Sequence, residues 1–253
     1  MRAVSLSQEP AFSALKNYFV CGTKDITDEP YCGESGRHDN FGNAVVTTNG
    51  AGPHNIQLFM LSSDGTILNV LPGYWAPQDL VYEMGLANEL NRIWMSNQYS
   101  RQQKDQLFRQ MHLAHFKQHP RDMTARSHLQ GFDAQHEAET RLHTSDFIKN
   151  AAAIEHPADP RHKWSPANFK TTDEVMHERL ASHPFEKYER FNVAAFSDYG
   201  KQRYDKHEDA MRPDGHIDME KAANIPSLGK AKHKAASDED EDDRKHWGNT
   251  FLR

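Results

Sequence analysis

Two kinds of side chain in this sequence have the type and spacing for chemistry. The first is thiol: Cys21 and Cys32 are separated by ten residues, and each precedes a glycine. Paired thiols can exchange with a disulfide, one attacking and the other resolving the mixed disulfide. The loop between them carries Asp25, Asp28 and Glu29, and nearby carboxylates raise a thiol pKa and blunt its nucleophilicity. Two ordinary thiols, or a structural bridge across an irregular loop, are the competing readings. The second is imidazole. His112, His115 and His119 follow at i, i+3 and i+7, within about 60° on one helix face at 100° per residue. Three neutral imidazoles can hold Zn²⁺ or Cu²⁺. A solvated helix face is the competing reading, because no carboxylate or cysteine is placed with the three and the H-E-x-x-H arrangement is absent.

The elements that must carry these groups can be read from periodicity. Residues 100–119 form a helix with Leu107, Phe108, Met111 and Ala114 on one side and Pro120 ending it. The three histidines sit roughly 80° from that stripe, at its polar boundary. Cys21 and Cys32 fall in a Gly- and Pro-rich loop over 21–43, preceded by a helix-like stretch from Pro10 with Phe12, Leu15 and Phe19 at helical spacing. Tyr18-Phe19-Val20 fits either the end of that helix or the start of a strand. Ala44–Thr48 is a further short strand candidate. Asn55–Leu61 is a buried strand, Asp64-Gly65 a hairpin turn, and Thr66–Leu71 the partner strand. Pro72-Gly73 breaks the chain, and a helix runs from Pro77 to about Ser96 with Leu80, Met84, Ala87, Leu90 and Trp94 as its apolar stripe. Weaker helices are expected near 133–155 and 171–182.

Composition divides the 253 residues unevenly. Hydrophobic residues make up 43 of the first 100 but 50 of the remaining 153. Fourteen of sixteen histidines lie in the second part, and Asp238–Asp243 is a run of six acids. The first part reads as a small domain; the second is too poor in aliphatic residues to build a core of its own. Its isolated aromatics, Phe185, Tyr188, Phe191, Phe196, Tyr199 and Tyr204, either anchor in a partner or fold back over the first domain. A net charge of −6 without a basic stripe argues against a nucleic-acid binder. No apolar run reaches the roughly 20 residues of a membrane span, and the opening residues lack the continuous apolar stretch of a signal peptide. A cytoplasmic location is expected. No Gly-rich phosphate loop, G-x-S-x-G elbow or carboxylate pair appears, and no cofactor is expected.

Gly52-Pro53-His54, strand, Asp64-Gly65, strand, Pro72-Gly73-Tyr74 and helix together resemble the C-terminal half of the thioredoxin fold, over about 45 residues. The resemblance implies that Pro53 is the family's cis-proline shaping a peptide groove, that His54 lines the substrate site, and that Cys21 is the nucleophile. The C-x-x-C motif is absent, so the active-site half is abbreviated or remodelled. The fold class expected is therefore α/β: a small thioredoxin-like helix-on-sheet domain (10–97), a helical extension (98–182), and an irregular arm with an acidic, disordered tail (183–253). The expected function is thiol–disulfide exchange through Cys21 and Cys32 on protein or small-thiol substrates. The alternative is a non-catalytic accessory protein with a degenerate thioredoxin-like platform, gripping a protein partner with its C-terminal arm.

Overall fold

Asp64-Gly65 reverses the chain between two apolar runs, and the sheet forms around that turn. Gly65 takes a positive φ of 78°, the left-handed conformation a tight reversal needs. Asp64 Oδ1 accepts the Thr66 amide hydrogen at 3.1 Å. The computed structural model describes residues 5–26, 48–50, 56–129, 131–157 and 164–196. In chain order it has α1 (Ala11–Tyr18), β1 (Gln57–Leu61), β2 (Ile67–Pro72), α2 (Pro77–Met95), α3 (Arg101–His115), α4 (Arg121–Arg126), α5 (Gly131–Thr140), α6 (Ala151–Glu155), α7 (Thr172–Ala181) and α8 (Val193–Phe196). Single 3₁₀ turns occupy Phe116–Gln118, Pro166–Asn168 and Tyr188–Arg190.

Among the described residues the architecture is mixed: helices around a small two-stranded antiparallel sheet. β1 and β2 pair with Leu58 opposite Leu71 and Met60 opposite Asn69, and a register shift follows Met60. Every residue of β2 is buried, because α2 and α7 both pack on it. Gly73, at φ 70°, ends the strand, and Pro77 opens α2 where its missing N–H is harmless. Ser100 starts α3 with a capping box: its side chain accepts from Gln103 N, and the Gln103 side chain accepts from Ser100 N.

The main core joins Ile67, Val70 and Leu71 of β2 to Leu80, Ala87 and Leu90 of α2, Phe108 of α3, and Met176 and Leu180 of α7. Hairpin and α2 thus form where the turn, proline and stripe signals place them. The expected seams at 97/98 and 182/183 do not separate packing units, since the described residues all fall within one unit, Met1–Tyr204. Much of the aliphatic-poor half completes the hairpin's core, while Ala134, Ala138, Ile154 and Phe169 form a small cluster of their own. Phe185 stacks on Trp94 at 4.9 Å and Tyr188 meets Phe59 edge-on at 5.0 Å. Backbone bonds tie this strap to the turn: Ile67 N donates to Glu186 O and Tyr188 N to Gly65 O. Phe185, Phe191 and Phe196 are buried in the chain's own core, so of the two readings of these aromatics it is the fold-back over the first domain that they follow. The 133–155 stretch divides into α5 and α6. Tyr18 ends α1, and Phe19–Ile26 run on outside any strand. Of the candidate strand Ala44–Thr48, residues 44–47 lie outside the described residues and Thr48 is in no strand; the acidic tail, Tyr199 and Tyr204 also lie outside them. No helix among the described residues is long and apolar enough to cross a membrane.

Candidate metal centre

Glu83 lies three residues after Leu80 and four before Ala87, on the apolar stripe of α2, and is fully buried. A carboxylate there is costly unless it is paired. One oxygen, Oε2, accepts from Asn69 Nδ2 at 2.7 Å. The other, Oε1, faces three imidazoles: His119 Nε2 and His177 Nε2 at 3.2 Å each and His115 Nε2 at 3.5 Å. One ligand atom from each of Glu83, His115, His119 and His177 lies within 4.8 Å of the others.

Four pieces of chain deliver these groups. His115 is the last residue of α3; the 3₁₀ turn Phe116–Gln118 then tightens the path. Pro120 forces His119 into an extended backbone, at φ −55° and ψ 138°. That bend carries His119 off the helix face on which regular spacing would leave it. His177 comes from α7, flanked by the buried Met176 and Leu180. Tyr82, one residue before Glu83, covers the group on its outer side, with its ring 4.9 Å from His115 and 5.5 Å from His119. Its hydroxyl donates to Gln118 O at 3.3 Å.

Outside the four lies a layer of partners. His119 Nδ1 donates to Asp173 Oδ2 at 2.5 Å, and Asp173 Oδ1 accepts from Glu174 N at 3.0 Å. His112 Nδ1 is 2.9 Å from His177 Nδ1, and His112 Nε2 is 3.2 Å from the Leu68 carbonyl oxygen. Burial would raise the Glu83 pKa, but the surrounding imidazoles outweigh it and hold the carboxyl well below the usual range. Burial holds His112 well below the ordinary imidazole value, with His177 adding to the effect, and burial also lowers His177 against the opposing pull of Glu83. His119 goes the other way. Burial disfavours its charge, yet Asp173 and Glu83 raise it to about 9.

Hydrogen counting exposes a deficit. The chain Leu68 O, His112, His177, Glu83 Oε1 contains three close contacts. Two neutral imidazoles supply only two hydrogens. One contact therefore sets acceptor against acceptor, which is costly in a dry interior. His115 Nε2 and His119 Nε2 also face Glu83 Oε1, at 3.5 and 3.2 Å but outside hydrogen-bond geometry. A cation among the four atoms answers all of this, and a divalent one matches the two carboxylates, Glu83 and Asp173, in charge. The separations of 3.2–3.5 Å from Oε1 resemble the edge of about 3.3 Å in a tetrahedron with bonds of about 2.0 Å to nitrogen and oxygen.

Of the three histidines singled out by spacing, His115 and His119 are brought together and His112 is not. Both of its ring nitrogens are engaged elsewhere, so it stands behind the group as a partner of His177. Glu83 and His177 were not found by spacing. The signals were there: a carboxylate on the Leu80/Ala87/Leu90 stripe, and Asp173 and His177 at i, i+4 on one face of α7. Cys21 is a free, exposed thiol. α1 precedes it and residues 21–26 are not helical, so no helix N-terminus in that segment activates the thiol in the manner the thioredoxin resemblance implies. Cys32, Pro53 and His54 lie outside the described residues. No protein-family model, curated protein or solved structure matches the chain.

Proposed function

We propose that this protein is a metalloprotein in which Glu83, His115, His119 and His177 hold one divalent transition-metal ion of the zinc class. The observation that carries the reading is the convergence of three Nε2 atoms on one buried carboxylate oxygen, at the end of a His112–His177 chain that is one hydrogen short. Imidazole and carboxylate donors suit zinc and its neighbours rather than calcium or magnesium, which prefer all-oxygen sets. Four protein donors in a buried setting favour a structural centre over a catalytic one, since catalytic zinc usually keeps a position for water. The ion would pin α3 and the turn after it, α2 and α7 to one point, a role that accords with a non-catalytic protein. Thiol–disulfide exchange through Cys21 and Cys32 has weaker support, a single exposed thiol without a helix behind it.

The test is metal content of the full chain, purified without a histidine tag from zinc-supplemented cells. About one zinc per chain is expected, falling below about one-tenth in the double variant His115→Ala/His177→Ala. Metal-free wild-type protein that also fails to take up Zn²⁺ or Co²⁺ on titration would overturn the reading.

A further inference from the structure

His112 is fully buried, lies three residues before a ligand, and touches none of the ligand atoms at the centre of the group. Its two nitrogens bridge the centre to the sheet. The Leu68 carbonyl can only accept, so His112 Nε2 carries the hydrogen in that contact. A neutral ring then presents a bare Nδ1 to His177. His177 Nδ1 must donate to it across 2.9 Å, which leaves the His177 Nε2 lone pair facing Glu83 and its neighbours. The same distance suits a hydrogen bond and is shorter than the edge of about 3.3 Å that two ligands of a tetrahedral ion would span.

We propose that His112 is a positioning residue that fixes His177 in the Nδ1–H tautomer, relaying the Leu68 carbonyl of β2 to the metal centre through two hydrogen bonds. The inference rests on the metal reading above and assigns to His112 a different task from ligation. Metal-bound imidazoles commonly donate their second nitrogen to a carboxylate or carbonyl. His119 does so through Asp173. His177 has a second histidine there instead, and that histidine has the right polarity only because a backbone carbonyl holds its far nitrogen. Without the Leu68 contact, His112 could turn its own N–H toward His177, and His177 would then place its hydrogen on Nε2, where the ion must bind.

Glutamine and phenylalanine separate this role from mere filling of space. The amide oxygen and nitrogen of glutamine are about 2.2 Å apart, as are the ring nitrogens of histidine, so His112→Gln can accept from His177 and donate to Leu68. His112→Phe keeps the ring and loses both contacts. Zn²⁺ affinity, read by competition with a chromophoric chelator, is expected to stay within about threefold for His112→Gln and to weaken by about 10–100-fold for His112→Phe. In wild-type protein loaded with zinc, long-range ¹H–¹⁵N correlation of the imidazoles is expected to show His177 protonated at Nδ1 and bound through Nε2. That measurement needs no variant to fold. Equal affinities for wild type, Gln and Phe, or a bare His177 Nδ1 in the loaded protein, overturn the proposal while leaving the centre intact. A wild-type chain that binds no metal overturns the centre itself.

Discussion

Replacing Glu83 by glutamine separates a metal centre from a self-sufficient histidine–carboxylate network, because the two respond in opposite directions. Asn69 Nδ2 donates to Glu83 Oε2 at 2.7 Å, so the glutamine amide oxygen will take that place and its NH₂ will face the imidazoles. In metal-free protein the amide then donates to nitrogens that were short of hydrogens, and the fold is not weakened. Metal binding loses its anionic donor. Structural zinc sites contribute about 10–16 kcal/mol over four ligands, so one ligand accounts for roughly 3 kcal/mol, or over a hundredfold in Kd. With free zinc at about 1,000 times the wild-type Kd, wild type gains about 4.1 kcal/mol and the variant, at about 10 times its own Kd, about 1.4 kcal/mol. For a unit the size of Met1–Tyr204, about 2–4 °C per kcal/mol applies, giving Tm rises of about 8–16 °C and about 3–6 °C. The assay is a thermal melt of each protein with excess zinc and with excess chelator. Equal Tm shifts in the two proteins, or a wild-type Tm indifferent to chelation, would refute the reasoning.

Two further perturbations test the frame around the centre. Arg179 Nε and Nη2 donate to Asp146 at 2.7 and 2.9 Å; burial would raise the Asp146 pKa, but Arg179 outweighs it and the net shift is downward. A carboxyl lowered in the folded state contributes stability above its unfolded value of about 3.9 and loses it as pH falls through the folded one. Urea midpoints should therefore fall less steeply below about pH 4 in Asp146→Asn than in wild type, and parallel profiles would contradict the assignment. Phe185 is buried between Trp94 and Phe108, at ring distances of 4.9 and 4.7 Å. Phe185→Ala is expected to cost about 3–5 kcal/mol and to open a protease site near Pro184. A wild-type cleavage pattern would show that the strap is held elsewhere.

The hairpin and α2 were legible because their signals are local: a turn dipeptide, a helix-opening proline and a stripe that repeats at helical spacing. The centre was half legible for the opposite reason. His115 and His119 stand near each other in sequence, but the other two donors come from elements whose proximity is set only by packing. Glu83 breaks an otherwise apolar face, and a single polar residue on such a face has no partner visible in sequence. His177 sits on a helix with little amphipathic contrast, so its inward direction could not be read there. Regular helix geometry groups His112 with the ligands. The 3₁₀ turn at Phe116–Gln118 and the extended His119 before Pro120 undo that regularity. The aromatics after residue 183 sit in an aliphatic-poor neighbourhood, and their burial depends instead on surface left open by β1, α2 and α3.

That poverty bears on why a metal would be placed here at all. α3 has fifteen residues, of which only Phe108 and His112 are buried, and a fully buried phenylalanine supplies about 1.5–3 kcal/mol. Met111 packs against the same core only partly buried. The capping box secures the start of α3 and leaves the His115 end to other contacts. At that end stand one ligand of the proposed centre and, a turn later, a second. A bound ion would thus act where apolar packing is thinnest, and it would do so in a part of the chain whose histidine content is high and whose aliphatic content is low. On this reading α3 and α7 would be joined to the hairpin domain by coordination in addition to the apolar packing of Phe108, Met176 and Leu180.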